Sequence, residues 1–218
     1  MSTAPLVDPA FLFRFEFELK HDPCRWTAKG VTLSDEHRLP SFAPVGDRRA
    51  DADLRAAWCD DGLAINAAVG GKRQAFWCRD SRVEDSDALQ IWMDTRCSPG
   101  IHRASQYCHH FALMPSGGGP RRDEPAAVWL PIHRARANPK PVDLTKIKIF
   151  ALPKHDGYTL SAFLPASQLT GYDPTNQPRV AMFVAVVDRE LGTQTLSVDP
   201  KFPYAEDPTL WAEAVLAR

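Results

Sequence analysis

The sequence predicts an all-β protein, a single antiparallel β-sandwich domain of about ten strands with at most short helical turns. Three observations predict it. The run FLFRFEFEL (11–19) alternates strictly, placing Phe11, Phe13, Phe15, Phe17 and Leu19 on one face and Leu12, Arg14, Glu16 and Glu18 on the other, the period-two pattern of a strand. Many short apolar runs follow, separated by Gly, Pro, Asp and Asn clusters, as in sandwiches. No stretch carries the 3.6-residue periodicity of a long amphipathic helix.

The strand-like runs are GLAINAAV (62–69), ALQIWMDT (88–95), QYCHHFALM (106–114), AVWLPIH (127–133), IKIFALP (147–153), YTLSAFLP (158–165), RVAMFVAVVD (179–188), TQTLSV (193–198) and LWAEAVLA (210–217). PASQLTGYDP reads as a short helical turn. Residues 34–57, rich in Asp, Arg, Ser and Pro, read as a loop in which DRRADADLRAAW carries one helical turn. PSGGGPRRDEP (115–125) reads as a second loop. With no repeat, low-complexity tract or linker, the whole chain, 1–218, is expected to be one domain.

Composition narrows the function. The 218 residues are 44% hydrophobic, enough for a sizeable core. The 26 basic and 27 acidic residues leave a net charge of −1, which gives no electrostatic reason to expect nucleic acid or an anionic membrane. No segment approaches the ~20 apolar residues of a membrane helix. Arg14, Glu16 and Glu18 interrupt the only candidate leader, so a cytoplasmic location is expected. The five cysteines lack CxxC spacing, and reduced thiols are expected. GxSxG, HExxH, P-loop and Rossmann fingerprints are missing, which points to a binding protein rather than an enzyme.

Parity sorts the central strands. Leu89, Ile91, Met93, Phe111 and Leu113 are expected in the core, with Gln90, Trp92, Asp94, Cys108 and His110 on the opposite face. If the third strand adjoins them, Gln106, Trp129 and His133 join that face. Aromatic, amide and charged groups mixed on one surface suit a polar, ring-shaped ligand. Cys108 and His110 share a face while His109 points inward, so RASQYCHHF supplies two metal ligands where zinc needs three or four; Asp94 or His133 would have to complete a site. No cofactor is expected, and a metal ion remains an alternative. Arg96, His102, Arg103, Arg134 and Arg136 form a second grouping. They either meet an anionic ligand or pair with Glu84, Asp85, Asp87 or Asp94.

The order of WCDDGLAINAAVGGK, FWCRDSRVEDSDALQIWMDTR, YCHHFAL, GYTLSAFLPASQLTGYDP, RVAMFVAVVDRELGTQTLS and DPTLW resembles that of the family 9 carbohydrate-binding modules and their DOMON-like relatives, over most of residues 55–213. The resemblance implies jelly-roll-like sheets and non-catalytic binding of a carbohydrate or similar polar small molecule. In sugar-binding members two Trp side chains sandwich a terminal sugar. Trp77 stands at the position of the first, and Cys108 stands near that of a sugar-contacting Arg. The resulting ligand-site expectation is Trp77, Gln90, Trp92, Asp94, Arg96, Cys108, His110 and Trp129. Two alternatives come from other classes. One is a metal or haem protein, with His109, His110, Met93 and Met114 as available ligands. The other is a protein-interaction domain anchored by Trp92 and Trp129.

Overall fold

The computed structural model describes residues 15–40, 52–198 and 200–218. Among these residues eleven strands form two sheets, and the only helical elements are three-residue 3-10 turns. The larger sheet contains β1 (Glu16–Lys20), β4 (Ala88–Asp94), β5 (Cys108–Gly118), β6 (Glu124–Trp129), β9 (Arg179–Asp188), β10 (Gly192–Thr195) and β11 (Ala212–Ala217). Its order is β1-β11-β9-β4-β5-β6, with β10 also on β9. The smaller sheet, β2-β3-β8-β7, contains β2 (Ala52–Cys59), β3 (Gly62–Val69), β7 (Lys148–Lys154) and β8 (Gly157–Pro165). Every pairing is antiparallel except β1 with β11, which is parallel. No described helix is long and apolar enough to cross a membrane.

One set of alternating side chains from each sheet fills the space between them. Leu89, Ile91, Met93, Phe111, Leu113, Met182, Val184 and Leu216 face Leu54, Trp58, Leu63, Ile65, Tyr158, Leu160 and Leu164 in one cluster. The expected inward row of β4 and β5 is therefore in the core. Leu19 is buried there too, with Phe15 and Phe17 packed against it; residues 11–14 of the opening run lie outside the described residues. The Pro165-led turn is a 3-10 turn at Ala166–Gln168.

The loop expectations need two corrections. Residues 52–59 are a strand, not a helical turn, because Leu54, Ala56 and Trp58 bury one face in the core. PSGGGPRRDEP is mostly strand as well: β5 runs on to Gly118, and β6 begins at Glu124. The register shifts between Met114 and Gly118, an irregularity that Gly117 (φ 100°) permits. A Cβ at Gly117 would stand 3.0 Å from the Cys78 backbone, so the hairpin lies directly on that segment.

Both outer faces are covered as well. On the smaller sheet, Cys24, Val31 and Leu33 cover Ala57, Cys59, Ala64 and Phe163. On the larger sheet, Cys78 and Val83 cover Ala88, Ala112, Met114 and Ala126 at one end. At the other, Ile132, Val198, Tyr204 and Trp211 cover Trp92, Cys108 and Phe183.

Candidate functional site

The expected binding surface is largely a second core. The Trp92 ring stacks on His110 at 4.2 Å between centroids and 16° between planes, and Tyr204 meets it edge-on at 5.2 Å. Phe183 stacks on Tyr204 at 4.3 Å and meets Trp92 edge-on at 6.0 Å. Trp92 is 2% exposed, and its Nε1 is buried without a hydrogen-bond partner. Trp92, expected in an accessible ligand site, is instead covered. The sequence shows which face a residue occupies but not that Val198, Tyr204 and Trp211 fold back over it.

The polar members of that face are satisfied internally. His110 Nε2 sits 3.0 Å from Gln90 Oε1, and since that oxygen only accepts, Nε2 carries the proton. Burial pulls the His110 pKa down to about 3, so the ring is neutral. Asp94 caps the turn that follows β4: its Oδ1 accepts from Arg96 N at 2.9 Å and its Oδ2 from Ser98 N at 2.8 Å. Cys108 Sγ accepts from Ser105 N at 3.4 Å, and burial pushes its thiol up to about 12. Arg96 lies over the Tyr107 ring instead of reaching the face. Trp129 pairs opposite Phe111 and packs on the inner core, so it belongs to the other face. Parity within one strand cannot supply the register between strands. Gln106 is exposed ahead of β5, and His133 is exposed and paired with Glu206 at 3.1 Å.

The alternative ligand sets do not assemble. Met93 is in the inner core and Met114 in the outer cluster, on opposite faces of the sheet. Among the described residues no three His, Cys, Asp or Glu side chains come together to hold a metal ion. The expected pairing of Arg96, His102, Arg103, Arg134 and Arg136 with Glu84, Asp85, Asp87 or Asp94 is also replaced. His102 pairs with Asp207 at 3.0 Å, Arg103 donates to the Arg134 carbonyl, and Asp87 pairs with Lys72.

The open part of the outer face lies beside the covered part, above β9 and β11. There a groove of about 970 Å³ runs between the loop at 97–102 and the chain at 208–211. The apolar part of its floor is Ala181 and Trp211, whose Nε1 is tied to the Tyr204 carbonyl at 2.7 Å. Glu16 and Glu213 stand directly opposite each other on β1 and β11, an arrangement that repels unless bridged. Arg179 bridges it, donating Nη1 to Glu16 Oε2 at 2.8 Å and to Glu213 Oε1. Ser98, His102, Gln177 and Thr209 line the rim. The groove thus offers carboxylates, a guanidinium, hydroxyls and an amide around an apolar floor, the combination that recognises a polar organic ligand. Sequence reading missed Glu16, Arg179 and Glu213. Their signal was charged residues of both signs at strand ends beside alanines, which also reads as an ordinary solvated edge.

Trp77 lies at the opposite end of the sheet, half-buried, with the Arg189 and Arg79 guanidiniums over its ring at 4.8 and 5.1 Å. Beneath it Lys72, whose side chain is 2% exposed, donates to Asp188 at 2.5 Å and Asp87 at 3.1 Å. Burial lowers the lysine pKa, but the two carboxylates outweigh it, and the net effect is upward.

This architecture matches solved structures. A family 9 carbohydrate-binding module from Caldicellulosiruptor kristjanssonii in complex with cellotriose superposes with a TM-score of 0.66 at 13% identity, covering 93% of this chain and 94% of that one. A module from the same organism in complex with glucose gives 0.65 at 14% identity, over 94% and 97%. A protein from Bacteroides uniformis gives 0.55 at 11% identity, over 93% and 98%. No protein-family profile matches the sequence, and no curated protein does. The chain has the fold of the family 9 carbohydrate-binding modules.

Proposed function

We propose that the protein is a non-catalytic carbohydrate-binding module that takes its ligand in the groove over β9 and β11. The groove itself carries this reading: about 970 Å³ of open space over an apolar floor, ringed by Glu16, Arg179, Glu213, His102 and Thr209. A sugar ring has apolar C–H faces for such a floor and hydroxyls that both donate to carboxylates and accept from a guanidinium. The fold shared with modules solved with cellotriose and glucose supports the same reading.

Titration calorimetry with glucose and cello-oligosaccharides tests it. Glu213→Gln and Arg179→Gln each remove charge from the groove at half-exposed positions, so folding should survive. Each should weaken binding about tenfold or more, which corresponds to about 1.4 kcal/mol, while cooperative unfolding is retained. Parent-like affinity in both variants would place the ligand elsewhere.

A further inference from the structure

Arg79 and Arg189 differ from the six arginines held in salt bridges among the described residues. Arg38, Arg55, Arg82, Arg121, Arg179 and Arg218 all pair with carboxylates. The guanidiniums of Arg79 and Arg189 meet no carboxylate among the described residues; the Trp77 ring holds both. An indole face attracts a guanidinium while leaving its N–H fork directed at solvent.

The backbone beneath them is fixed from below. Asp87, 1% exposed, accepts from Trp77 N at 3.1 Å through Oδ2 and from Arg189 N at 2.8 Å through Oδ1. Lys72 balances its charge. Ser86 Oγ accepts from Arg79 N at 2.9 Å. Two adjacent buried side chains thus set the position of all three residues, and the β5–β6 hairpin packs on the Cys78–Arg79 backbone at Gly117. Two unpaired forks on one aromatic platform, pre-positioned by a buried network, suit the bidentate capture of an oxyanion.

We propose that Trp77, Arg79 and Arg189 bind an anionic substituent, a sulfate ester or a uronate carboxylate, on the carbohydrate ligand. This rests on the carbohydrate reading above and specifies its ligand class. The site is separate from the groove: Arg179 starts β9 and Asp188 ends it, a strand of 10 residues spanning roughly 30 Å. Changes at one end should therefore leave the other intact.

The test compares neutral cello-oligosaccharides, their sulfated forms, glucuronate oligosaccharides and inorganic sulfate by calorimetry at low salt. Sulfated or uronate chains should bind at least about tenfold more tightly than neutral ones, a difference that shrinks as salt screens the contact. The two anionic arms identify which oxyanion is preferred. The double variant Arg79→Gln, Arg189→Gln should abolish the preference while leaving neutral binding and the melting temperature unchanged. Arg79→Lys with Arg189→Lys should lose most of it too, because a point charge lacks the fork. Lys154→Gln, exposed on the other sheet, should change nothing. If neutral and anionic chains bind equally, or the Gln variant keeps the preference, the inference fails while the carbohydrate reading stands. If no saccharide of any kind binds, both fail.

Discussion

Trp92 shows what a single residue can and cannot reveal in advance. Its parity was legible, and it does share a face with Gln90, Asp94, Cys108 and His110. Its burial was not, because residues that fold over a strand from a hundred positions away leave no mark on the strand itself. The structure makes Trp92→Ala a core truncation, with an expected cost of about 3–5 kcal/mol in chemical denaturation. Trp92→Phe should cost clearly less, since it also removes an indole N–H that is buried without a partner. Gln90→Ala should fall between a surface change and the loss of a hydrogen bond, about 1 kcal/mol. Equal costs for Trp92→Ala and Gln90→Ala would mean that the cover over Trp92 is not formed in solution. Trp77 and Trp129 carry the same lesson with different outcomes. Trp77 is half-exposed but its ring carries arginines, and Trp129 faces inward because pairing with Phe111 sets its register.

Most strands could be read from the sequence because their alternation survives burial on two sides. β9 coincides with its apolar run at both ends, and β3 does likewise. β2 was missed because Ala and Arg dilute its pattern, and because the Asp- and Arg-rich stretch before it dominates the local composition. The β2–β3 hairpin also depends on its turn. Gly62 adopts φ 146°, and a Cβ there would sit 2.2 Å from the Leu164 carbonyl of the neighbouring strand. Gly62→Ala must therefore displace backbone in the middle of the smaller sheet, and its expected cost is about 1–3 kcal/mol. Thermal unfolding measures it; an unchanged Tm would show that the β3–β8 spacing is freely adjustable.

At the scale of the whole molecule, packing on both faces of the larger sheet buries histidines that would otherwise titrate near neutrality, His109 on the inner face and His110 under the outer cover. Burial pulls His109 down to about 4, against opposing contributions from the Thr170 carbonyl and Asp94, and His110 down to about 3. The unfolded chain binds protons at these two rings near pH 6.5 and the folded chain does not. Stability is thus fully present above about pH 6.5 and falls as the pH drops toward about 4. Each tenfold loss of proton affinity is worth about 1.4 kcal/mol, so keeping both rings neutral contributes on the order of several kcal/mol of acid sensitivity. Denaturant midpoints should fall between about pH 7 and about pH 4.5, and His110→Gln should flatten the dependence. A flat profile in the parent would mean that solvent reaches both rings. The groove charges and the Trp77 arginines were the least legible part of the molecule, since Arg179 meets Glu16 and Arg189 meets Trp77 across more than half the length of the chain.

The parallel pairing of β1 with β11 has a mechanical consequence. Tension that draws the chain backward from Glu16 and forward from Ala217 pulls these neighbouring strands in opposite senses along their length. The ladder from Glu16↔Glu213 to Lys20↔Ala217 is then loaded in shear, with all its rungs sharing the force, instead of being unzipped one rung at a time. Single-molecule stretching from the two ends should meet a high force and then one abrupt rupture. Pulling from Gly62 and Pro165, which sit side by side at one end of β3 and β8, should peel that sheet apart at a much lower force. A domain built this way would hold its shape while tethered between two bodies that move apart.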